Sequence, residues 1–350
     1  MDFPVGKRID FYHTVCYNIS NYRKGDEGMS LQLHEDYRSM RREVSVLCLI
    51  FMLYAVVSGL ASGGLSLLYL DGASNVTEDI VSNIHLDRLM LLSYLGTYVL
   101  MFAVPLSVFF LCKSCDRVTD YFYLNRTPQW GVALLGCLGV LAVNYAVSIL
   151  ADAGNLVFAR VGVLADATEI LGYGDDAVSN VIYFIILVIA PAVLEEFCFR
   201  GVICGRLARY NGTAAVLVSA MLFSLMHMNM DQIPFAFLAG LLMGYVYLRT
   251  GSIWSSVLIH AVNNGFAFLS EYLYYRYDGA IEMERLYMLG WAGLFVLGLI
   301  ALVVLGLSHK QADAPPLLSV GRAMTAALSS PLFLICCLLA IVAAFMVLPL

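Results

Sequence analysis

Long apolar runs separated by short polar segments follow one another along most of the chain. Each run holds close to 20 mostly apolar residues, the length that a helix needs to cross the hydrocarbon core of a bilayer. The charged residues lie mainly between the runs. This pattern predicts an all-α, polytopic membrane protein with about nine transmembrane helices, near residues 45–70, 89–112, 131–151, 178–203, 213–229, 232–249, 252–271, 286–307 and 331–349.

The distribution of basic residues predicts the orientation of these helices. Cytoplasmic segments of membrane proteins carry an excess of Lys and Arg. With the N-terminus in the cytoplasm, nine spans leave only four of the 20 basic residues on the opposite side, namely Arg88, Arg160, Arg276 and Arg285. We therefore expect an integral, multi-pass protein whose N-terminus is cytoplasmic.

The overall composition agrees with a membrane protein. Of the 350 residues, 61% are hydrophobic and 13% are charged, which is more apolar and less charged than an average globular domain. Residues 1–43 are polar and lack the apolar core of a cleaved signal peptide. We predict a cytoplasmic N-terminal segment over residues 1–43 and a transmembrane domain over residues 44–350. The expected partner is the lipid bilayer, and no nucleic acid is expected.

Ionisable residues well inside the apolar runs, away from their ends, are confined to the fourth, fifth and seventh runs. They are Glu195, Glu196, Arg200, His227 and His260. An ionisable residue at membrane depth costs about 2.5–3.5 kcal/mol on insertion scales, so it indicates a functional site by default. Short links join the fourth to seventh helices, which predicts a compact four-helix catalytic core over residues 178–272.

The spacing within "LEEFCFRG" distinguishes the two glutamates. Glu196 and Arg200 are four residues apart, so that they share a helix face and can form an ion pair. Glu195 then points about 100° away around the helix. Pro191 cannot donate a backbone hydrogen bond, which predicts a kinked or loosened turn before the glutamates.

Two further motifs add histidines to the predicted site. "FSLMH" places Phe223 and His227 on one face of the fifth helix, and "HAVNN" places His260 and Asn264 on one face of the seventh. Glutamate and histidine can hold and deprotonate a water, and histidine and asparagine can donate to a carbonyl oxygen that becomes negative. These groups suffice for peptide hydrolysis. A straight fifth helix leaves His227 deeper than the glutamates, so we expect a helix to bend.

Each residue also has a structural interpretation. The Glu196–Arg200 pair alone is consistent with a structural ion pair near the membrane interface. Either histidine alone, or Asn264 alone, is consistent with a hydrogen bond between helices. Phe223 fits a core residue. The joint occurrence of these residues on neighbouring helices favours a catalytic site.

The three motifs, in this order, resemble those of the CPBP family, which comprises CAAX proteases and bacteriocin-processing enzymes and is also called Abi. "EEFCFR" resembles its E-E-x-x-x-R motif, "FSLMH" its F-x-x-x-H motif and "HAVNN" its H-x-x-x-N motif. The resemblance implies an intramembrane endopeptidase in which Glu195 activates water with His227. It further implies that His260 and Asn264 stabilise the oxyanion and that Arg200 holds Glu196.

The resemblance leaves several alternatives open. No cofactor is expected, but zinc held by Glu195, His227 and His260, as in a metalloprotease, is the alternative. A non-catalytic scaffold or regulator of the same family and a proton-coupled transporter compete with the protease. "GYGD" at residues 172–175 fits an aspartyl-protease motif, although we interpret it as a turn. The expected substrate is a membrane-associated protein or peptide: a prenylated tail, a leader peptide or a signalling peptide.

Overall fold

The structure, a computed structural model, describes residues 26–75, 84–112, 129–160, 176–230, 232–277, 281–308 and 316–346. These residues form helices and contain no strand, so the all-α fold class is confirmed. In chain order the helices are α1 (Asp26–Asn75), α2 (Ile84–Cys112), α3 (Trp130–Arg160), α4 (Ala177–Ala208), α5 (Gly212–Met226), α6 (Ile233–Thr250), α7 (Ile253–Tyr277), α8 (Ile281–Leu307), α9 (Val320–Leu328) and α10 (Pro331–Met346).

The chain is a polytopic membrane protein, but the predicted count of nine spans is not confirmed. Among the described residues, six helices are long and apolar enough to cross a membrane, and a seventh span results if α9 and α10, bent by 72°, count as one. Helix α5 has only 15 residues. Helix α7 is not among the six, since its Ser, His and Asn side chains make it less apolar. The fold class therefore follows from hydropathy, whereas the number of crossings does not.

Helices α4–α7 lie at the centre of the molecule. Helices α3 and α8 pack against each other, with α3 also contacting α6 and α7, while α1, α2, α9 and α10 pack on the side of α4 and α5. The predicted boundary at residue 43 falls inside α1. The "GYGD" segment, which we interpreted as a turn, lies outside the described residues.

Helix α4 is interrupted by two π-helical stretches, Ile185–Ile189 and Phe197–Cys204. The first stretch immediately precedes Ala190 and Pro191, where we predicted a loosened turn. In α-helical register the carbonyl of Leu187 accepts from residue 191, and a proline there has no N–H to donate. The π-helical turn before Pro191 is thus a local consequence of this proline. Turns of this kind occur often at functional sites.

Glycines set the packing of α6 on its neighbours. A Cβ atom added at Gly240 would lie 3.1 Å from Ala220 Cβ, and one at Gly244 would lie 3.1 Å from Val216 Cγ1. The predicted G-x-x-x-G face therefore brings α6 close to α5. Gly251 ends α6 with φ 61°, a left-handed conformation that suits glycine. The tight turn that follows makes α6 and α7 antiparallel neighbours.

Polar side chains tie α1 to the C-terminal end of α4. Glu43, which is buried, forms ion pairs with Arg206 and with Arg209. Beyond α4, the side chain of Asn211 caps α5 at Ala214 N and also donates to Leu318 O. These contacts fix the turn between α4 and α5, and with it the start of the helix that ends at His227.

Candidate active site

The predicted ion pair between Glu196 and Arg200 is present and buried. Arg200 Nη1 lies 2.6 Å from Glu196 Oε1, and both side chains are fully inaccessible to solvent. Arg200 Nη2 also donates to Gly240 O at 3.4 Å. A carboxylate and a guanidinium removed from water need such pairing, because an isolated buried charge is very costly. The pair therefore fixes both side chains at the centre of the four helices.

His260 connects the two glutamates. Its Nδ1 lies 2.9 Å from Glu196 Oε1, and its Nε2 lies 3.8 Å from Glu195 Oε2. All three side chains are buried, with His260 and Glu195 each 5% exposed. A carboxylate accepts hydrogen bonds, so Glu196 holds the proton of the imidazole on Nδ1. The ring is thereby oriented with Nε2 toward Glu195.

Phe223 is the aromatic centre of the site. The guanidinium of Arg200 lies 4.3 Å from the centroid of its ring. His227 and His260 contact the ring edge-on, with centroid distances of 5.2 and 5.9 Å. Phe223 is buried, as a core residue should be, and it also positions a cation and two imidazoles. The structure thus brings the first, second and third motifs together around one ring.

His227 lies at the end of α5 and contacts the ring of Phe223. Its Nδ1 is 3.0 Å from Phe223 O. Because a carbonyl oxygen only accepts, Nδ1 carries the hydrogen and Nε2 has a lone pair. The next residue, Met228, has φ 47°, a left-handed conformation that is strained for a side chain of this kind. Among the described residues no hydrogen bond joins His227 to Glu195.

Asn264 is braced by an interhelical chain of amides. Its Nδ2 donates to Leu187 O at 2.9 Å, the carbonyl that Pro191 cannot serve. Asn263 Nδ2 donates to Asn264 Oδ1 at 3.1 Å, and Asn144 Nδ2 of α3 donates to Asn263 Oδ1 at 2.9 Å. Asn264 therefore faces the irregular part of α4, with one of its two N–H groups in use.

Sequence reasoning missed Tyr98. This residue lies on α2, outside the predicted catalytic core, and its hydroxyl donates to Glu195 Oε1. Nothing in the sequence distinguishes it from the other tyrosines of the chain, which has 21 in all. Asn144 was missed for the same reason, since one amide in an apolar helix has no motif around it.

Two buried atoms in the site have no hydrogen-bond partner in the part of the chain that the structure describes. They are Glu196 Oε2 and Arg200 Nε. Buried polar atoms of folded proteins are nearly always paired, so an unpaired one in a charged cluster needs an explanation. Arg209 Nε, in the ion-pair cluster of Glu43, is likewise buried without a partner, so such atoms do not by themselves mark a functional site.

The arrangement does not form a ready metal site. Among the described residues there is no group of three or more His, Cys, Asp or Glu with the geometry to hold a metal ion. Glu195 and His260 lie 3.8 Å apart, and His227 contacts the ring of Phe223, as His260 does. The zinc alternative thus lacks a preformed set of ligands in this conformation.

Comparison with known proteins bears on the segment that contains all three motifs. Residues 177–266 match the family model described as type II CAAX prenyl endopeptidase Rce1-like. The resemblance to the CPBP family is confirmed. The matched segment covers about a quarter of the chain and includes every predicted site residue. It supports an intramembrane protease in general, and hence a membrane protein as substrate. No curated protein and no solved structure matches the chain.

Proposed function

We propose that the protein is a glutamate-type intramembrane endopeptidase that hydrolyses a peptide bond of a membrane-associated protein or peptide. The observation that carries this proposal is the position of two buried carboxylates on one imidazole. His260 bonds Glu196 through Nδ1 and faces Glu195 through Nε2. A structural ion pair with Arg200 needs only Glu196, so Glu195 has a separate task.

Glu195 is the proposed general base. Its Oε2 faces His260 Nε2 at 3.8 Å, too far for a direct hydrogen bond. A water molecule that donates to Glu195 gives up its proton to that carboxylate as its oxygen attacks the scissile carbonyl carbon. His227, whose Nε2 has a lone pair, is the second proposed holder of this water. A positioned base of this kind contributes roughly 10²- to 10⁴-fold in rate.

His260 and Asn264 are the proposed donors to the oxyanion. The proton that Glu195 accepts can be shared with His260, which then carries hydrogen on both ring nitrogens while Glu196 balances its charge. Asn264 has one N–H that does not bond Leu187 O. The tetrahedral intermediate collapses when the leaving amine takes a proton from the Glu195–His260 pair. No acyl-enzyme forms, and no metal takes part.

Two competing functions remain to be separated from this one. A scaffold of the same family needs the fold but not Glu195, and a proton-coupled transporter needs Glu195 for flux rather than cleavage. The second buried carboxylate, Glu195, which faces His260, favours the protease, because a scaffold has no use for it. The cytoplasmic location of the N-terminus is part of the proposal, as it determines which face presents the substrate.

The decisive experiment measures cleavage by the purified protein in lipid nanodiscs. Substrates are membrane-anchored peptides with a prenylated C-terminal tail, an unprenylated tail or a leader sequence. We expect wild type to cleave at least one class and Glu195→Gln to lose about 100-fold or more in kcat. The matched control is Glu271→Gln, the same change at an exposed position of the same bundle, which should cleave like wild type.

A chelator arm addresses the metal alternative. Cleavage that is indifferent to 1,10-phenanthroline supports the glutamate mechanism. Inhibition that added zinc reverses replaces it with metal-assisted hydrolysis. Equal cleavage by wild type and Glu195→Gln, or no cleavage of any substrate class by wild type, contradicts the proposed function.

A further inference from the structure

Tyr98 reaches the site from a helix that lies outside the CPBP segment. Its hydroxyl donates a hydrogen bond to Glu195 Oε1, and among the described residues no other side chain donates a hydrogen bond to Glu195. Glu195 differs in this respect from Glu196, which is held by Arg200 and His260. The orientation of the proposed base thus depends on a neutral donor from α2.

An aromatic cluster holds Tyr98 in place. Its ring lies 5.4 Å from that of the buried Phe102, which in turn lies 5.0 Å from the ring of Tyr54 on α1. Tyr54 contacts Phe51 in the same helix, at 6.3 Å. Rigid aromatic packing of this kind fixes a hydroxyl without cost at the moment of reaction. Two helices from outside the core therefore support a single hydrogen bond to the site.

The hydrogen bond from Tyr98 gives the two oxygens of Glu195 different roles. A carboxylate without a fixed donor rotates about its terminal torsion, which is broad and roughly two-fold. With Oε1 held by Tyr98, Oε2 is the oxygen that faces His260 Nε2 at 3.8 Å. A general base works only where its free oxygen can reach the proton that it removes. The constraint on Oε1 consequently sets the direction of proton transfer at Oε2.

We propose that Tyr98 is a positioning residue for the reaction, which holds Glu195 so that Oε2 is directed at the attacking water. The inference rests on the proposed function, because it assigns Tyr98 a role through Glu195. It extends the functional part of the molecule to α2, beyond the family segment. Tyr98 itself does not contact the reacting atoms in this role.

The test compares two tyrosine-to-phenylalanine variants in the cleavage assay. Tyr98→Phe removes only the hydroxyl and keeps the ring against Phe102. We expect kcat to fall roughly 10- to 100-fold, the usual effect of losing a hydrogen bond to a charged group, while KM stays within about twofold. The matched control, Tyr94→Phe, removes a hydroxyl from an exposed tyrosine one turn earlier on the same helix and should leave kcat within about twofold of wild type.

Thermal unfolding separates positioning from simple support of the fold. Under the proposal Tyr98→Phe melts within about 2 °C of wild type, because ring packing is retained. A kcat equal to that of Tyr94→Phe, or a fall in kcat that accompanies a large fall in melting temperature, overturns the inference. If wild type cleaves and Glu195→Gln does not, those results overturn the role of Tyr98 alone. A failure of the proposed function appears instead in wild type or in Glu195→Gln.

Discussion

Among the described residues, two buried carboxylates, Glu43 and Glu196, are paired with arginine. They differ in how many of their oxygens have a partner. Glu43 on α1 directs one oxygen to Arg206 and the other to Arg209. Glu196 directs a single oxygen to both Arg200 and His260, while its second oxygen has no partner among the described residues. The Glu43 cluster joins two helices, whereas the Glu196 cluster also faces a second carboxylate.

The difference shows that an ion pair inside a membrane protein is weak evidence of function by itself. Burying a charge pair often costs as much in desolvation as it returns in attraction, so either cluster can be a structural link. What distinguishes the candidate site is a second carboxylate, Glu195, and an imidazole that lies between the two carboxylates. The Glu43 cluster, at the end of α4, balances one carboxylate with two arginines.

The largest difference between the clusters should appear in stability. Arg200→Met leaves Glu196 buried without its cation, and we expect it to lower the free energy of unfolding by about 3–5 kcal/mol. Arg209→Met should cost less than about 1 kcal/mol, because Arg209 is 41% exposed and Arg206 still balances Glu43. Titration with denaturing detergent in mixed micelles measures both. Equal losses would mean that the two clusters are equivalent links.

The next largest difference between the Glu196 and Glu43 clusters should appear in the rate of cleavage. Glu196→Gln keeps the size of the side chain but removes the charge that holds His260 Nδ1, so we expect kcat to fall about 100-fold. Glu43→Gln, the same change in the other cluster, should leave kcat within about threefold. Both values come from the cleavage assay in nanodiscs. A Glu43→Gln variant as inactive as Glu196→Gln would contradict the division between site and link.

A smaller effect should mark how far the site extends along α3. Asn144→Leu removes the donor to Asn263 and so loosens the brace on Asn264. We expect kcat to fall about threefold, in keeping with the modest energy of hydrogen bonds between membrane helices. Ser148→Ala, which removes only a 3.4 Å contact to Asn144, serves as control. An unchanged kcat in Asn144→Leu would confine the site to α2, α4, α5 and α7.

The smallest effect concerns an acid–arginine pair at the opposite end of α4. The pKa of Asp176 is held below its ordinary value, mainly by the hydrogen bond from Arg88. Hydrogen bonds from the side chain and the backbone N–H of Ser179 contribute less. A lowered carboxyl pKa stabilises the fold at pH values above about 4, and this stabilisation is lost as the pH falls further. Asp176→Asn keeps an N-cap acceptor, so it isolates the charge.

Melting curves across pH measure this contribution. At pH 7, Asp176→Asn should lower the melting temperature by about 2 °C, and the difference from wild type should shrink as the pH falls below about 4. A difference that is constant with pH would assign the effect to the cap rather than to the ion pair.

Much of the site could be predicted because its parts are local in sequence. The four-residue spacing of Glu196 and Arg200 on one helix makes their pairing almost independent of the rest of the fold. Pro191 determines its own turn in the same way, and Gly240 permits the approach of α6. The contacts that were missed join residues far apart in the chain, such as Tyr98 with Glu195 and Glu43 with Arg206. No spacing rule covers them.

Hydropathy and helical spacing, which act over a few turns, were enough to predict the all-α membrane architecture. The three motifs were enough to predict the resemblance of the central segment to a protease family and the residues that the structure brings together around Phe223. Tertiary structure alone decided which oxygen of each glutamate meets which partner. It also decided that Asn264 donates to Leu187 O. In addition, it placed Tyr98 of α2 and Asn144 of α3 in contact with residues of the three motifs, which lie on other helices. Such choices depend on the packing of whole helices, in which each buried polar group must find its partner across the bundle.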